Sequence, residues 1–270
     1  MKYLRIGVSL LCVIALAVFA VFYIKEQQKD TVYPVITMDS EIVDVSLKMT
    51  DEELFKGVTA YDEKDGDITS KLIVESISKF VEDGVCLVTY SVCDNDNHAT
   101  SETRKMRIVD YTPPVFKIKE SLVFGLGEKI SLQSYIGAYD CIDGDISDRV
   151  IITATDYNTN EEGVFNVSLK ATNSMGDTIY MELPVYIENR SYSAPKIELS
   201  EHLVYTKVGE KIDLTEYIIS AIDKEQQAGM KVLIDTNYKP DVPGVYEAHY
   251  ETKDADGRKG HAVLTIIVEE

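Results

Sequence analysis

Two stretches of this chain crowd carboxylates together. Asp62, Asp65 and Asp67 fall within Ala60-Tyr-Asp-Glu-Lys-Asp-Gly-Asp-Ile-Thr69, and Asp140, Asp143, Asp145 and Asp148 within and just after Ala138-Tyr-Asp-Cys-Ile-Asp-Gly-Asp-Ile-Ser147. Calcium takes six to eight oxygens at about 2.3–2.6 Å, so each stretch offers several candidate ligands. The spacing is not that of the EF-hand loop. The favoured reading is a tight turn: Gly66 and Gly144 take positive φ, aspartates cap backbone amides, and Ile68 and Ile146 start the next strand. Calcium is the competing reading. Asp94 and Asp96, in Asp94-Asn-Asp-Asn97, read as part of another turn by the same logic.

Other chemistry is sparse. His98, His202, His249 and His261 are dispersed, form no H-E-x-x-H and pair with no cysteine at zinc spacing. His249 faces outward on an alternating run and is read as solvated. There is no G-x-S-x-G elbow. Gly-Glu-Lys at 127–129 and 209–211 lacks the P-loop frame and reads as a turn before a strand. No catalytic residue, metal ligand or cofactor site is assigned, and the chain is read as non-enzymatic.

The elements that must position these residues come in repeats. Pro34, Pro114 and Pro195 open three units spaced by 80 and 81 residues. Gly84, Gly163 and Gly244 recur at 79 and 81, as do the turns beginning at Asp94, Asn173 and Asp254. After each glycine the chain alternates: Cys86, Val88, Tyr90 and Val92 share one face, then Phe165, Val167, Leu169 and Ala171, then Tyr246, Ala248 and Tyr250. A second alternating run follows each turn, such as Leu183, Val185 and Ile187, or Leu264, Ile266 and Val268. Period-two alternation around a turn is a half-buried hairpin. About seven short strand-like runs per unit, and none with helical period, predict a two-sheet sandwich.

These motifs resemble those of bacterial Ig-like repeats, the modules named after an Ig-like domain of a pesticidal crystal protein and related to hyalin-type repeats. The resemblance rests on A-x-D-x-x-D-G-D-I-[TS] in units one and two. It rests also on G-x-Y-x-x-x-Y-x-x-x-D, which Gly244, Tyr246, Tyr250 and Asp254 match fully. Unit one has Cys86 for the first Tyr; unit two has Phe165, Leu169 and Asn173. Unit three lacks the DGD: it reads Ala221-Ile-Asp223-Lys-Glu-Gln-Gln227. The resemblance implies a β-sandwich used as a surface spacer or adhesion module, commonly in Gram-positive bacteria, and supplies no catalytic residues.

Ahead of the repeats, residues 6–24 hold 19 residues without a charge. At about 1.5 Å per residue this spans roughly 28 Å, near the ~30 Å of a bilayer core. Tyr3 and Tyr23 sit where interfacial aromatics belong. The run is longer than a signal-peptide core and ends Phe-Tyr-Ile-Lys without small residues, so an uncleaved signal anchor is favoured over a cleaved peptide. Lys and Arg count two on each flank; the N-terminus is placed in the cytoplasm because the rest resembles surface modules.

The net charge is −19. Residues 31–270 hold 23 Lys and Arg against 44 Asp and Glu, a balance of −21. Such a surface repels phosphate backbones, so nucleic acid is not an expected partner. Outside the apolar run three cysteines remain, an odd number; Cys86 and Cys93, seven residues apart on one strand, stand roughly 24 Å apart, and Cys86 reads as a core residue.

The expected architecture is all-β: three tandem Ig-like antiparallel β-sandwiches preceded by one transmembrane α-helix. Residues 1–30 are the cytoplasmic stub, anchor and juxtamembrane segment; 31–112, 113–190 and 191–270 are the domains. Asp110-Tyr-Thr-Pro-Pro114 should be a stiff joint and 189–194 a more flexible one. The expected function is a single-pass, cell-surface spacer or protein-interaction module. A glycan- or protein-binding adhesin is the alternative, with or without calcium, and an exposed aromatic patch on the third unit would favour it.

Overall fold

The computed structural model describes residues 2–27, 31–223 and 229–270; within the first stretch the side chains described are those of residues 7 and 10–24. The segment 224–227, where the third repeat departs from the DGD pattern, lies outside the described residues, as do the side chains of Lys2, Tyr3, Arg5 and Lys25. The chain divides into two compact units, Met1–Asp110 and Tyr111–Glu270.

In the first unit α1 (Lys2–Gln27) precedes seven strands and a short helix. The strands are β1 (Val35–Met38), β2 (Ile42–Val45), β3 (Val58–Asp62), β4 (Gly66–Asp67), β5 (Ile73–Ile77), β6 (Val85–Cys93) and β7 (Ala99–Ile108); α2 (Asp51–Leu54) lies between β2 and β3. They form one sheet ordered β1-β3-β4 and a second ordered β2-β7-β6-β5. The alternation sets the burial: Cys86, Val88, Tyr90 and Val92 are all buried, with Ile36, Val58, Ala60, Met106 and Ile108. Among the described residues no helix is long and apolar enough to cross a membrane. The described side chains of α1 run unbroken only through residues 10–24, and every one of them is exposed; that stretch spans about 22 Å.

The second unit carries the same strand pattern twice. Its first copy comprises β8 (Val115–Ile118), β9 (Val123–Gly125), α3 (Leu132–Tyr135), β10 (Ile136–Asp140), β11 (Gly144–Asp145), β12 (Ile151–Thr155), β13 (Gly163–Thr172) and β14 (Thr178–Glu188). Its second comprises β15 (Lys196–Leu199), β16 (Leu203–Lys207), β17 (Ile218–Ile222), β18 (Leu233–Thr236), β19 (Gly244–Lys253) and β20 (Lys259–Glu269). In each copy a small sheet, β11-β10-β8 or β15-β17, faces a four-stranded one, β12-β13-β14-β9 or β16-β20-β19-β18. Phe116, Ile136 and Ala138 of one sheet meet Val167, Leu169, Leu183 and Val185 of the other in one core. Ile197, Leu199 and Ala221 likewise meet Ala248, Tyr250, Leu264 and Ile266.

The sheets are not wholly antiparallel. β2 pairs with β7, β9 with β14 and β16 with β20 in parallel. After a four-residue first strand the chain crosses to the opposite sheet, and its next strand enters beside the repeat's last strand running the same way. Helical turns, absent from the sequence reading, occur at α2 and α3 and as 3₁₀ turns at Thr69–Lys71, Ser147–Arg149 and Leu214–Tyr217. Gly127 and Gly209 do sit in turns, but helical turns follow them rather than strands.

One of these turns explains the second tyrosine of the G-x-Y-x-x-x-Y pattern. Tyr250 is fully buried, and its hydroxyl donates to the Leu214 carbonyl at 2.7 Å at the start of a 3₁₀ turn. Tyr90 donates to Leu54 O at the end of α2 in the same way. Buried Arg104 adds donors to Leu54 O at 3.0 Å and Lys56 O at 2.8 Å. The equivalent Leu169 has no hydroxyl to give. Tyr250→Phe strands the Leu214 carbonyl and is expected to lower the unfolding free energy by about 1–2 kcal/mol, read by denaturant unfolding at unchanged m-value.

Candidate functional sites: the aspartate turns and the joint between the second and third repeats

Each residue of the A-x-D-x-x-D-G-D-I-[TS] stretch has a structural task. Asp140 is fully buried, and its Oδ1 accepts the amides of Ile142 at 3.0 Å and Asp143 at 2.9 Å. Asp62 Oδ1 accepts those of Lys64 and Asp65 at 2.9 and 2.8 Å. Gly66 and Gly144 have φ of +77° and +75°, the left-handed region that favours glycine. Asp67 and Asp145 accept the amides of Thr69 and Ser147, both at 2.9 Å. Hydrogen bonds from those hydroxyls and amides hold both carboxyls below the usual range. Ile68 and Ile146 are buried, but each leads into a 3₁₀ turn rather than a strand. The hydroxyl of Thr69 accepts the Ala60 amide at 3.0 Å, closing the loop on its first residue.

The middle aspartate ties the two sheets together. Asp143 takes the Ser174 amide at 2.6 Å and hydroxyl at 2.7 Å from the β13–β14 turn, and Arg149 Nη1 at 2.6 Å. Burial would raise its pKa; the Ser174 and Arg149 bonds outweigh burial and lower it. Asp65 accepts the Asn95 amide at 2.8 Å in the first repeat. Asp140 Oδ2 accepts Asn173 Nδ2 at 3.1 Å. Asp94 stands at the position of Asn173 and has no N–H to offer, and buried Asp62 Oδ2 has no hydrogen-bond partner. Among the described residues no group of three or more His, Cys, Asp or Glu stands in metal-binding geometry.

The histidines are less dispersed than the sequence suggests. His249 Nδ1 and His261 Nε2 lie 3.1 Å apart, with ring planes 17° from parallel. His261 Nδ1 meets Glu188 Oε1 of the second repeat at 2.7 Å. His249 Nε2 is 3.7 Å from Glu247 Oε2, and Tyr186 of the second repeat donates its hydroxyl to Glu247 at 2.9 Å. Tyr186 stands edge-on to both imidazoles. His249 is therefore half-buried against these neighbours rather than fully solvated. The Glu247 carboxylate beside it raises its pKa against the opposing effect of burial. The His261 bond lowers the pKa of Glu188.

Apolar contacts complete this joint. Leu203, with Tyr205 and Ile267 packed alongside, joins the core of the second repeat. The Tyr205 hydroxyl accepts the Phe116 amide at 3.1 Å. Side chains far from the 189–194 connection thus bind the two repeats into one compact unit, whereas the sequence had predicted a flexible joint. In the third repeat Tyr238, Tyr246 and Tyr250 each donate a hydroxyl to a backbone carbonyl, Tyr250 is buried, Tyr238 and Tyr246 are half-buried with their rings edge to face, and Tyr192 is fully exposed.

No family model matches the chain. It is 28% identical over 138 residues to an uncharacterized 81.3 kDa protein of Acholeplasma phage L2, covering 49% of this chain and 18% of that one. It is 24% identical over 246 residues to pesticidal crystal protein Cry22Aa of Bacillus thuringiensis, covering 86% and 33%. The chain thus spans a third or less of these relatives. Among solved structures, CBM51-2 in complex with GlcNAc and INT domains from Clostridium perfringens ZmpB aligns at 15% identity and TM-score 0.29, over 58% of this chain and 42% of that one. Human CDH23 EC21-23 aligns at 14% identity and TM-score 0.24, over 87% and 100%. At these scores the structural likenesses support no assignment.

Asp140→Ala leaves two turn amides without their acceptor and Asn173 Nδ2 with the Tyr111 hydroxyl alone, and is expected to cost the second unit about 2–3 kcal/mol, measured by denaturant unfolding. Because most of the aspartate oxygens already accept amides and hydroxyls and no three carboxylates among the described residues stand in metal-binding geometry, millimolar calcium is expected to leave the melting midpoint within about 1 °C of its value in chelator.

Proposed function

We propose that this chain is a membrane-anchored, extracytoplasmic protein of three Ig-like domains, 31–112, 113–190 and 191–270, acting as a surface spacer or protein-interaction module rather than as an enzyme. The observation that carries the anchoring is the surface of α1. Leu10, Leu11, Val13, Ile14, Leu16, Val18, Phe19, Val21, Phe22 and Ile24 are all exposed, on every side of the helix. An apolar surface of this kind is stable in hydrocarbon and costly in water. The charge-free sequence from residue 6 to 24 supplies the length that the described side chains alone fall short of. Membership of the bacterial Ig-like repeats is supported by the similarity to Cry22Aa over 246 residues and by the roles found for each position of the DGD stretch.

The passive reading follows from where the polar groups are spent. The aspartates cap turns, the buried tyrosines satisfy carbonyls and the imidazoles join two repeats. The outward balance of −21 over residues 31–270 favours basic partners and keeps identical molecules apart.

The full chain expressed in a bacterium is expected in the membrane fraction after washing with alkaline carbonate, with residues 31–270 removed by protease added outside the cytoplasmic membrane. Leu16→Arg, at about 2.5–3.5 kcal/mol for an arginine at the centre of a spanning helix, should shift a measurable share to the soluble fraction. Carbonate-extractable wild-type chain, or repeats shielded from external protease, would overturn this reading.

A further inference from the structure

The chain Glu188, His261, His249, Glu247 and Tyr186 runs across the joint between the second and third repeats, and its two inner members face each other nitrogen to nitrogen. The separation of ring centroids, 5.3 Å, exceeds the 3.1 Å nitrogen separation by about two ring radii, so the rings point almost straight at one another. A contact of that length holds one proton: with none, two lone pairs collide; with two, two N–H groups do.

Four ring nitrogens therefore admit a definite count. His261 Nδ1 faces a carboxylate 2.7 Å away and takes the donor role, leaving its Nε2 as an acceptor. His249 Nδ1 then donates to that acceptor. In the neutral pair this leaves His249 Nε2 a bare lone pair turned toward Glu247. One added proton there turns a repulsive contact into an ion pair. A second would have to enter the head-on contact and would break it. We propose that this joint is a proton-operated clasp: one proton taken up by the His249–His261 pair locks the third repeat onto the second in mildly acidic solution.

The charges facing the pair favour that proton. Glu247 and Glu251 come from β19, Asp235 from β18 and Glu188 from β14; Lys259 and Arg190 lie on the Glu188 side, and the Tyr186 hydroxyl closes the far end. His249, raised from 6.5, contributes stability that is complete below 6.5 and lost as pH rises through its folded value. Glu188 and Glu247, lowered from 4.5, contribute stability that is present above 4.5 and lost as pH falls through their folded values. The clasp is firmest between these limits.

The full chain holds only four histidines, so ¹⁵N-histidine labelling in detergent resolves each ring, with His98 and His202 as internal references. The expected result is a nitrogen–nitrogen coupling between His249 and His261 and the uptake of a single proton by the pair between about pH 8 and 5. The melting midpoint of the second unit should rise by about 2–4 °C from pH 8 to 5.5, and the rise should vanish in His249→Gln and in His261→Gln. Should either variant fail to fold, Glu188→Gln, which keeps the shape of the side chain, is expected to shrink the rise. Two independent titrations taking up two protons, or a pH response that survives these substitutions, would overturn the proposal.

Discussion

A buried backbone amide must find an acceptor, and most of this architecture follows from how one carboxylate meets that demand. Asp62 and Asp140 lie at the end of the small sheet where the chain reverses, and each takes two amides of its own turn. With those amides satisfied the turn can lie against the hairpin of the opposite sheet. Asp65 and Asp143 then reach across to that hairpin's amides. The two sheets are held at this end by hydrogen bonds and along their faces by apolar packing. The acidic composition that first suggests a cation site is largely backbone chemistry.

Much of this was legible before any coordinates. The hairpins β6–β7, β13–β14 and β19–β20 fall where alternation places them, because a one-residue slip would turn every apolar side chain of the strand outward. The positive φ of Gly66 and Gly144 and the capping by Asp62 and Asp140 follow from residue type. The helix α2 had a signal that was missed: Thr50-Asp-Glu-Glu53 is a capping-box pattern, and the Thr50 amide does donate to the Glu53 carboxylate at 2.9 Å. Four residues are too few for helical periodicity to register. The parallel strands carried no signal at all, since strand direction within a sheet is decided by the crossover and not by side-chain pattern.

The joint shows a different limit. His249 and His261 lie on the same outward face of one hairpin, and counting back from its turn sets them as a diagonal pair two rungs apart, Asp235–His249–Val263 and Glu251–His261, with Tyr250–Ala262 between. Their proximity was thus within reach of the sequence. Their partial burial was not, because it depends on Tyr186 and Glu188 arriving from another repeat. Linker composition misled for a related reason: the freedom of 189–194 matters little once Leu203, Tyr205 and the imidazoles hold the flanking repeats together.

The parallel pairs have a mechanical meaning. In each repeat a strand near the entering end, β2, β9 or β16, lies alongside the strand by which the chain leaves, β7, β14 or β20. Traction on the two ends of a repeat draws these strands past each other along their length. The rungs between them are then loaded together in shear instead of being peeled one at a time. A module wired in this way resists pulling well beyond what its modest three-to-five-residue contact would offer if unzipped.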